Sequence, residues 1–116
     1  MRVNNNNLVS AQILNATFNS APQQLNQIFG YYIQLVITGT PTGTFTLQSS
    51  GDANSGDVFP TNWAAVASSS QAVSGAGVYS YNVSDVQYNW VRLVYTDGSS
   101  GTSTAVLNAT INTKGF

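Results

Sequence analysis

Residues 29–38, which read FGYYIQLVIT, decide the fold class because their side chains alternate strictly in character. Every second position is large and apolar: Phe29, Tyr31, Ile33, Leu35 and Ile37. The positions between them are mixed and include Gln34 and Thr38. A period of two is typical of a β-strand that buries one of its faces. The stretch therefore predicts a half-buried strand.

The same alternation recurs along the chain in residues 44–49, 77–83, 88–96 and 104–112. Residues 88–96 are apolar on both faces, which predicts a central strand. Residues 8–14 form a predicted edge strand, and residues 63–68 and 71–73 are shorter candidates. Segments 39–43 and 97–101 are rich in glycine with proline or aspartate, and the pattern predicts hairpin turns there.

Residues that favour helices are scarce, while Val, Ile, Thr and Tyr abound. Seven or eight short strands separated by Gly, Ser and Asn predict an all-β fold: a single antiparallel β-sandwich, jelly-roll-like in arrangement. We expect this domain to span residues 8–116. Residues 1–7, with four consecutive asparagines at positions 4–7, form a predicted N-terminal arm that is either mobile or ordered against a partner.

The composition of the 116 residues excludes several classes of function, because charged residues make up only 6% and the net charge is −1. Cys, His and Glu are absent, which excludes disulfides, cysteine zinc sites and Ser–His catalysis. Three basic residues are too few for a nucleic-acid or anionic-membrane footprint. We expect no cofactor and no metal. No apolar run resembles a signal peptide or a membrane span, so we expect synthesis in a host cytoplasm.

The four acidic residues are Asp52, Asp57, Asp85 and Asp97. All lie in predicted turns, where aspartate commonly accepts hydrogen bonds from nearby backbone amides. A facing carboxylate pair or a calcium loop at residues 52–57 is the alternative. Residues 52–57 lack the later glutamate of a calcium-binding EF-hand loop, so the sequence favours the turn interpretation. With the aspartates in turns and no His, Cys or Glu, the sequence predicts that the protein is not an enzyme.

Three residues are candidate interface or structural residues: Arg92, Trp63 and Trp90. Arg92 lies within the most apolar predicted strand and needs a partner there. We expect a salt bridge to a loop aspartate or a fork onto backbone carbonyls, with a subunit interface or a ligand as alternatives. The tryptophans belong to the core, to an oligomer interface or to a sugar-stacking platform. Trp63 follows a loop and is expected to be the more exposed of the two.

A resemblance adds to this interpretation. Six segments carry it: residues 39–45 (GTPTGTF), 62–63, 75–79 (GAGVY), 88–96 (YNWVRLVYT), 100–102 and 111–116 (INTKGF). Together they resemble small β-sandwich virion proteins of tailed bacteriophages. That group includes capsid decoration proteins and tail or fibre components. The resemblance covers roughly residues 25–116. It implies a structural role in a virion and self-association, with a trimer among the possible oligomers.

Two functional hypotheses follow. The first is a non-enzymatic phage virion protein, a capsid decoration (cement) protein that binds itself and neighbouring shell subunits. The alternative is a carbohydrate- or receptor-binding β-sandwich of a tail or head fibre, with Trp63 stacking on a sugar. An exposed pair of aromatic residues lining a groove favours the second hypothesis, and a buried Trp63 weakens it.

Overall fold

A computed structural model describes residues 2–53 and 60–115, and within them the chain forms ten strands and no helix. Accordingly, these residues include no helix that could cross a membrane. The strands are β1 (Arg2–Ile13), β2 (Phe18–Asn19), β3 (Gln23–Gln24), β4 (Ile28–Thr38), β5 (Gly43–Ser50), β6 (Ala64–Ala65), β7 (Gln71–Val73), β8 (Gly77–Val83), β9 (Trp90–Asp97) and β10 (Val106–Gly115).

The strands form two antiparallel sheets. The four-stranded sheet has the order β1-β10-β4-β8, and the six-stranded sheet has the order β2-β9-β5-β6. Strand β3 also pairs with β9, and β7 also pairs with β5, so each edge of the second sheet is one interrupted strand. Counted in this way there are eight strands, and the chain changes sheet at every connection except the one between β5 and β6. This is the topology of a jelly roll, and it confirms the predicted fold class.

The hydrophobic core lies between the two sheets and follows the predicted alternation. On β4 the odd-numbered residues from Tyr31 to Ile37 are buried, and the pattern continues on β5 and β10. Strand β9 contributes Val91, Leu93 and Tyr95, each with no exposed surface. It pairs with β5 on one side and with β2 and β3 on the other, which confirms its predicted central position.

The two predicted hairpins are wrong. Residues 39–43 join β4 in the four-stranded sheet to β5 in the six-stranded sheet, and residues 97–101 join β9 to β10 in the reverse direction. Neither segment connects strands that pair with each other. The two crossings meet at one end of the sandwich, where Gly98 N donates to Thr42 O over 2.8 Å. Turn residues show where the chain reverses, but not which sheet the next strand joins.

Strand β1 lies at an edge, as predicted, but it begins at Arg2 rather than at Leu8. The asparagine run therefore lies within the strand, where Asn4 to Asn7 pair with Thr113 to Thr110 of β10. Pairing becomes irregular between Asn7 and Gln12, where the register shifts twice. Residues 2–7 of the predicted arm thus form the regular first half of β1, and the irregular pairing begins only after them.

Candidate interaction surfaces

The outer face of the six-stranded sheet carries a cluster built around Arg92. Arg92 on β9 and Gln48 on β5 are direct cross-strand partners. Arg92 Nε donates to Gln48 Oε1 over 2.8 Å. The guanidinium carbon lies 4.2 Å from the centre of the Trp63 ring. A cation over an indole face is attracted by the negative potential of that face. The three side chains therefore hold one another in place.

Among the described residues, the partners of Arg92 differ from those expected from the sequence. They are an amide oxygen and an indole ring, and neither is a loop carboxylate or a backbone carbonyl. Burial lowers the pKa of Arg92 from its ordinary value, but an arginine guanidinium remains charged throughout the useful pH range. The cluster therefore presents a fixed positive charge beside an aromatic ring. Its predicted role in an interface stays a prediction.

Trp63 is held by the loop that precedes it. The carboxylate of Asp52 accepts hydrogen bonds from Thr61 N at 2.8 Å and from Asn62 N at 3.1 Å. The Asn62 side chain also donates to Asp52, at 3.1 Å. Asp52 thereby clasps the two ends of the loop together immediately before Trp63. Trp63 is partly exposed, so the expectation that it is the more exposed tryptophan is confirmed.

Trp90 lies two residues before Arg92 on β9 and is almost fully buried, with 4% of its surface exposed. It pairs with Ser50 of β5 and with Gln24 of β3. It does not belong to the main core cluster between the sheets. A ring this buried offers no face to a sugar, so Trp63 and Trp90 do not form a shared stacking platform.

The described aspartates behave as turn residues. Asp97 accepts hydrogen bonds from Ser99 N at 2.9 Å, from Ser99 Oγ at 2.6 Å and from Gly101 N at 3.1 Å. Asp85 accepts one from the Gln87 side chain at 3.3 Å. Asp57, and with it most of the conceivable calcium loop, lies outside the described residues. Within residues 2–53 and 60–115 no three acidic, histidine or cysteine side chains gather as a metal site would require.

These hydrogen bonds to Asp52 and Asp97 make the free energy of unfolding depend on pH in the acidic range. The hydroxyl and amide of Ser99 lower the pKa of Asp97 from its ordinary value, and the side chain of Asn62 with the amides of Thr61 and Asn62 does the same for Asp52. A lowered folded-state pKa stabilises the protein above the unfolded pKa of about 4, and this stability is lost as the pH falls through the folded value.

We therefore expect the free energy of unfolding to fall between about pH 5 and pH 2, and to fall less steeply in the double variant Asp52→Asn/Asp97→Asn. Urea denaturation at a series of pH values measures both slopes. Equal slopes in the wild type and the double variant would contradict the assignment of the two carboxylates as turn clasps.

A groove of about 420 Å³ runs between β8 and the segment that leads into β7. Its lining carries no charged side chain: Leu47, Val66, Ala67, Ser68, Ser69, Gln71, Ser80, Tyr81, Asn82 and Val83. Burial raises the pKa of Tyr81 to about 12, so its phenol stays protonated near neutral pH. The groove therefore offers no group that could act as a general base there.

The outer face of the four-stranded sheet is a broad surface that consists mainly of uncharged side chains. Core residues of β4 and β10 are odd-numbered, so the even-numbered residues point outward, and β1 and β8 align with them. We call this surface the uncharged face; it comprises Asn5, Asn7, Tyr32, Gln34, Val36, Val78, Ser80, Asn82, Asn108, Thr110 and Asn112. Lys114 lies at one end of it.

The uncharged face combines amides and hydroxyls with one apolar pair. Val36 and Val78 are direct cross-strand partners and are 37% and 64% exposed. The side chains of Asn5 and Asn112 hydrogen-bond to each other across β1 and β10. Such a surface can be buried without transferring a charge out of water, which is the most expensive step in burying polar groups.

Comparison with known proteins finds similar solved structures but no family. No protein-family model and no curated protein matches the chain. Among solved structures, the chain is similar to the coat protein of tobacco streak virus, with 10% sequence identity and a TM-score of 0.48. The match covers 97% of this chain and 85% of the coat protein.

Proposed function

We propose that this chain is a non-enzymatic structural protein of a tailed-bacteriophage virion, and that it decorates the capsid by binding itself and neighbouring shell subunits. The observation that carries the proposal is the uncharged face, which spans all four strands of one sheet of a jelly roll. Jelly rolls recur in capsid and lectin domains, so the fold alone does not choose between them. The chemistry of the surfaces favours assembly.

The uncharged face suits a contact between particle subunits for two reasons. Its amides and hydroxyls can exchange hydrogen bonds with water for hydrogen bonds with a partner, as polar groups in protein interfaces do. A surface without charge also makes binding insensitive to ionic strength. A decoration protein that touches two shell subunits at once gains further, because each weak contact raises the effective concentration of the other.

The alternative, a carbohydrate-binding module on a fibre, has less support among the described residues. Sugar stacking needs an accessible aromatic ring, and Arg92 already covers one face of the Trp63 ring. Trp90 is buried. The arrangement that favours a lectin, two exposed aromatic residues along one groove, is thus not formed by this pair of tryptophans.

An add-back experiment tests the proposal. Purified chain is mixed with shells from particles that lack it, and co-sedimentation gives the bound amount at low and high salt. We expect saturable binding that changes little between the two salt concentrations. The variant Asn82→Asp/Asn108→Asp places two charges on the uncharged face without changing side-chain shape, and we expect it to bind about tenfold more weakly.

The matched control is Asn15→Asp/Asn26→Asp, which adds the same charge at exposed positions outside the uncharged face. We expect it to bind like the wild type. Failure of the wild-type chain to bind such shells would contradict the decoration role. Equal weakening by both double variants would show that net charge matters and that the uncharged face does not.

A further inference from the structure

The first half of β1 projects beyond the sandwich. Asn4 pairs with Thr113 and Asn6 pairs with Ile111, and both partners are buried, with 2% and 0% of their surfaces exposed. Directly paired residues share a face of the sheet, so Asn4 and Asn6 lie on the side that faces the second sheet. Both asparagines are nevertheless exposed. The second sheet therefore does not cover β1 at these positions.

This part of β1 is also an open edge. In the described structure β1 has a neighbour only on the β10 side, so its other side presents unpaired backbone N–H and C=O groups. Proteins usually protect such edges with prolines, lysines or bulges. On β1 only the second half is protected in this way, because the register shifts there. In that half Ala11 has a φ of 50°, and its backbone N–H donates to the Asn108 side chain. Residues 3–7 have a regular register and contain neither proline nor charge.

The opposite edge of the same sheet is better protected. The side chain of Gln71 on β7 donates to the Ser80 carbonyl of β8 over 2.9 Å. That carbonyl lies in the middle of the strand, so a strand added to β8 would have to displace Gln71. Strand β1 is thus the more available edge for pairing.

We propose that residues 3–7 of β1 pair antiparallel with the same residues of a second copy across a twofold axis. The pairing joins two four-stranded sheets into one continuous sheet of eight strands and covers Val3, which is 59% exposed. An antiparallel pair of identical segments is self-complementary, as a twofold interface requires. Its side chains are one valine and four asparagines, so no like charges face each other.

This inference deepens the proposed function, because it names the contact by which the protein self-associates. It makes the basic unit a dimer in place of the trimer considered from the sequence. It also gives the asparagine run the partner-dependent role expected of the arm. The contact forms between purified chains without a shell, so its failure is distinguishable from failure of the decoration role.

The chain contains no cysteine, so single-cysteine variants report on one position at a time. Val3→Cys and the four variants Asn4→Cys to Asn7→Cys are oxidised under native conditions and separated on non-reducing gels. In an antiparallel twofold pair only residues at the axis face their own copies at a distance that a disulfide can span. We expect a cross-linked dimer at one position or at two adjacent positions, and none with the control Asn15→Cys, which lies at an exposed position outside β1 and the uncharged face.

A second pair of variants keeps the test independent of cysteine chemistry. Asn4→Lys/Asn6→Lys places lysines on the open edge, and we expect it to weaken self-association about tenfold in light-scattering measurements. Asn15→Lys/Asn26→Lys adds the same charge at exposed positions outside β1 and the uncharged face, and it should retain the wild-type dimer mass. A monomeric wild type at high protein concentration, uniform cross-linking at all positions, or equal weakening by both lysine variants would overturn the proposal.

Discussion

Replacing Gly43 by alanine is expected to destabilise the fold by about 3 kcal/mol, because there is no space for the added methyl group. A Cβ built at Gly43 overlaps the Tyr95 side chain and lies 2.6 Å from the Thr96 carbonyl oxygen. The Tyr95 ring is fully buried, and its hydroxyl donates to Thr42 O over 3.1 Å. The ring therefore cannot move aside without losing both its packing and its hydrogen bond. Urea denaturation of Gly43→Ala measures the effect.

Gly51→Ala is the matched control, since a Cβ at Gly51 meets no atom of the described residues within 4 Å. We expect its free energy of unfolding to lie within about 0.5 kcal/mol of the wild type. If both variants were equally stable, the close packing of Tyr95 over the start of β5 would be refuted.

Leu93→Ala is expected to destabilise the protein by about 2–5 kcal/mol, the usual range for a buried leucine. Leu93 has no exposed surface and lies directly opposite Leu47 in the central pair of strands β9 and β5. Its backbone N–H also donates a buried hydrogen bond to Ser20 Oγ over 2.8 Å. Strands on both sides hold its backbone, so the cavity left by the side chain cannot readily collapse.

Thermal and urea unfolding of Leu93→Ala are compared with those of Val78→Ala, which removes an apolar side chain that is 64% exposed on β8. We expect the second variant to change the unfolding free energy by no more than about 0.5 kcal/mol. A loss below about 1 kcal/mol for Leu93→Ala would show that the region between the sheets is not a packed core.

The strands were predictable because alternation is a local property of the sequence. The inward positions of residues 29–38 and 104–112 follow from the period of two, and the central strand β9 (Trp90–Asp97) falls within one residue or two of the doubly apolar stretch 88–96. These features depend on which side chains must leave water, and each residue carries that information itself. The fold class follows from them and from the turn residues between them.

The strand connections and the close packing at Gly43 could not be predicted, because they depend on contacts between residues that are distant in sequence. The segments 39–43 and 97–101 have hairpin-like composition but cross between sheets, because strand pairing is set by the whole set of strands. Gly43 lies in an ordinary turn-like sequence, and the close approach of Tyr95 and of the Thr96 carbonyl, both distant in sequence, leaves no room for a side chain there.

The candidate interaction surfaces were also predictable only in part. Arg92 was identified from its position in an apolar strand, but its partners Gln48 and Trp63 lie 44 and 29 residues away in sequence. No local signal links them. The uncharged face was likewise visible only as a composition rich in amides and hydroxyls. The register of β1, β10, β4 and β8 gathers those residues on one side of one sheet.

Cryo-electron microscopy of the source particle tests the central claim most directly. We expect density for this chain at symmetry-related positions on the outside of the shell, with the uncharged face against neighbouring shell subunits. Absence of the chain from the particle, or its presence only at a fibre tip with the uncharged face in solvent, would contradict it.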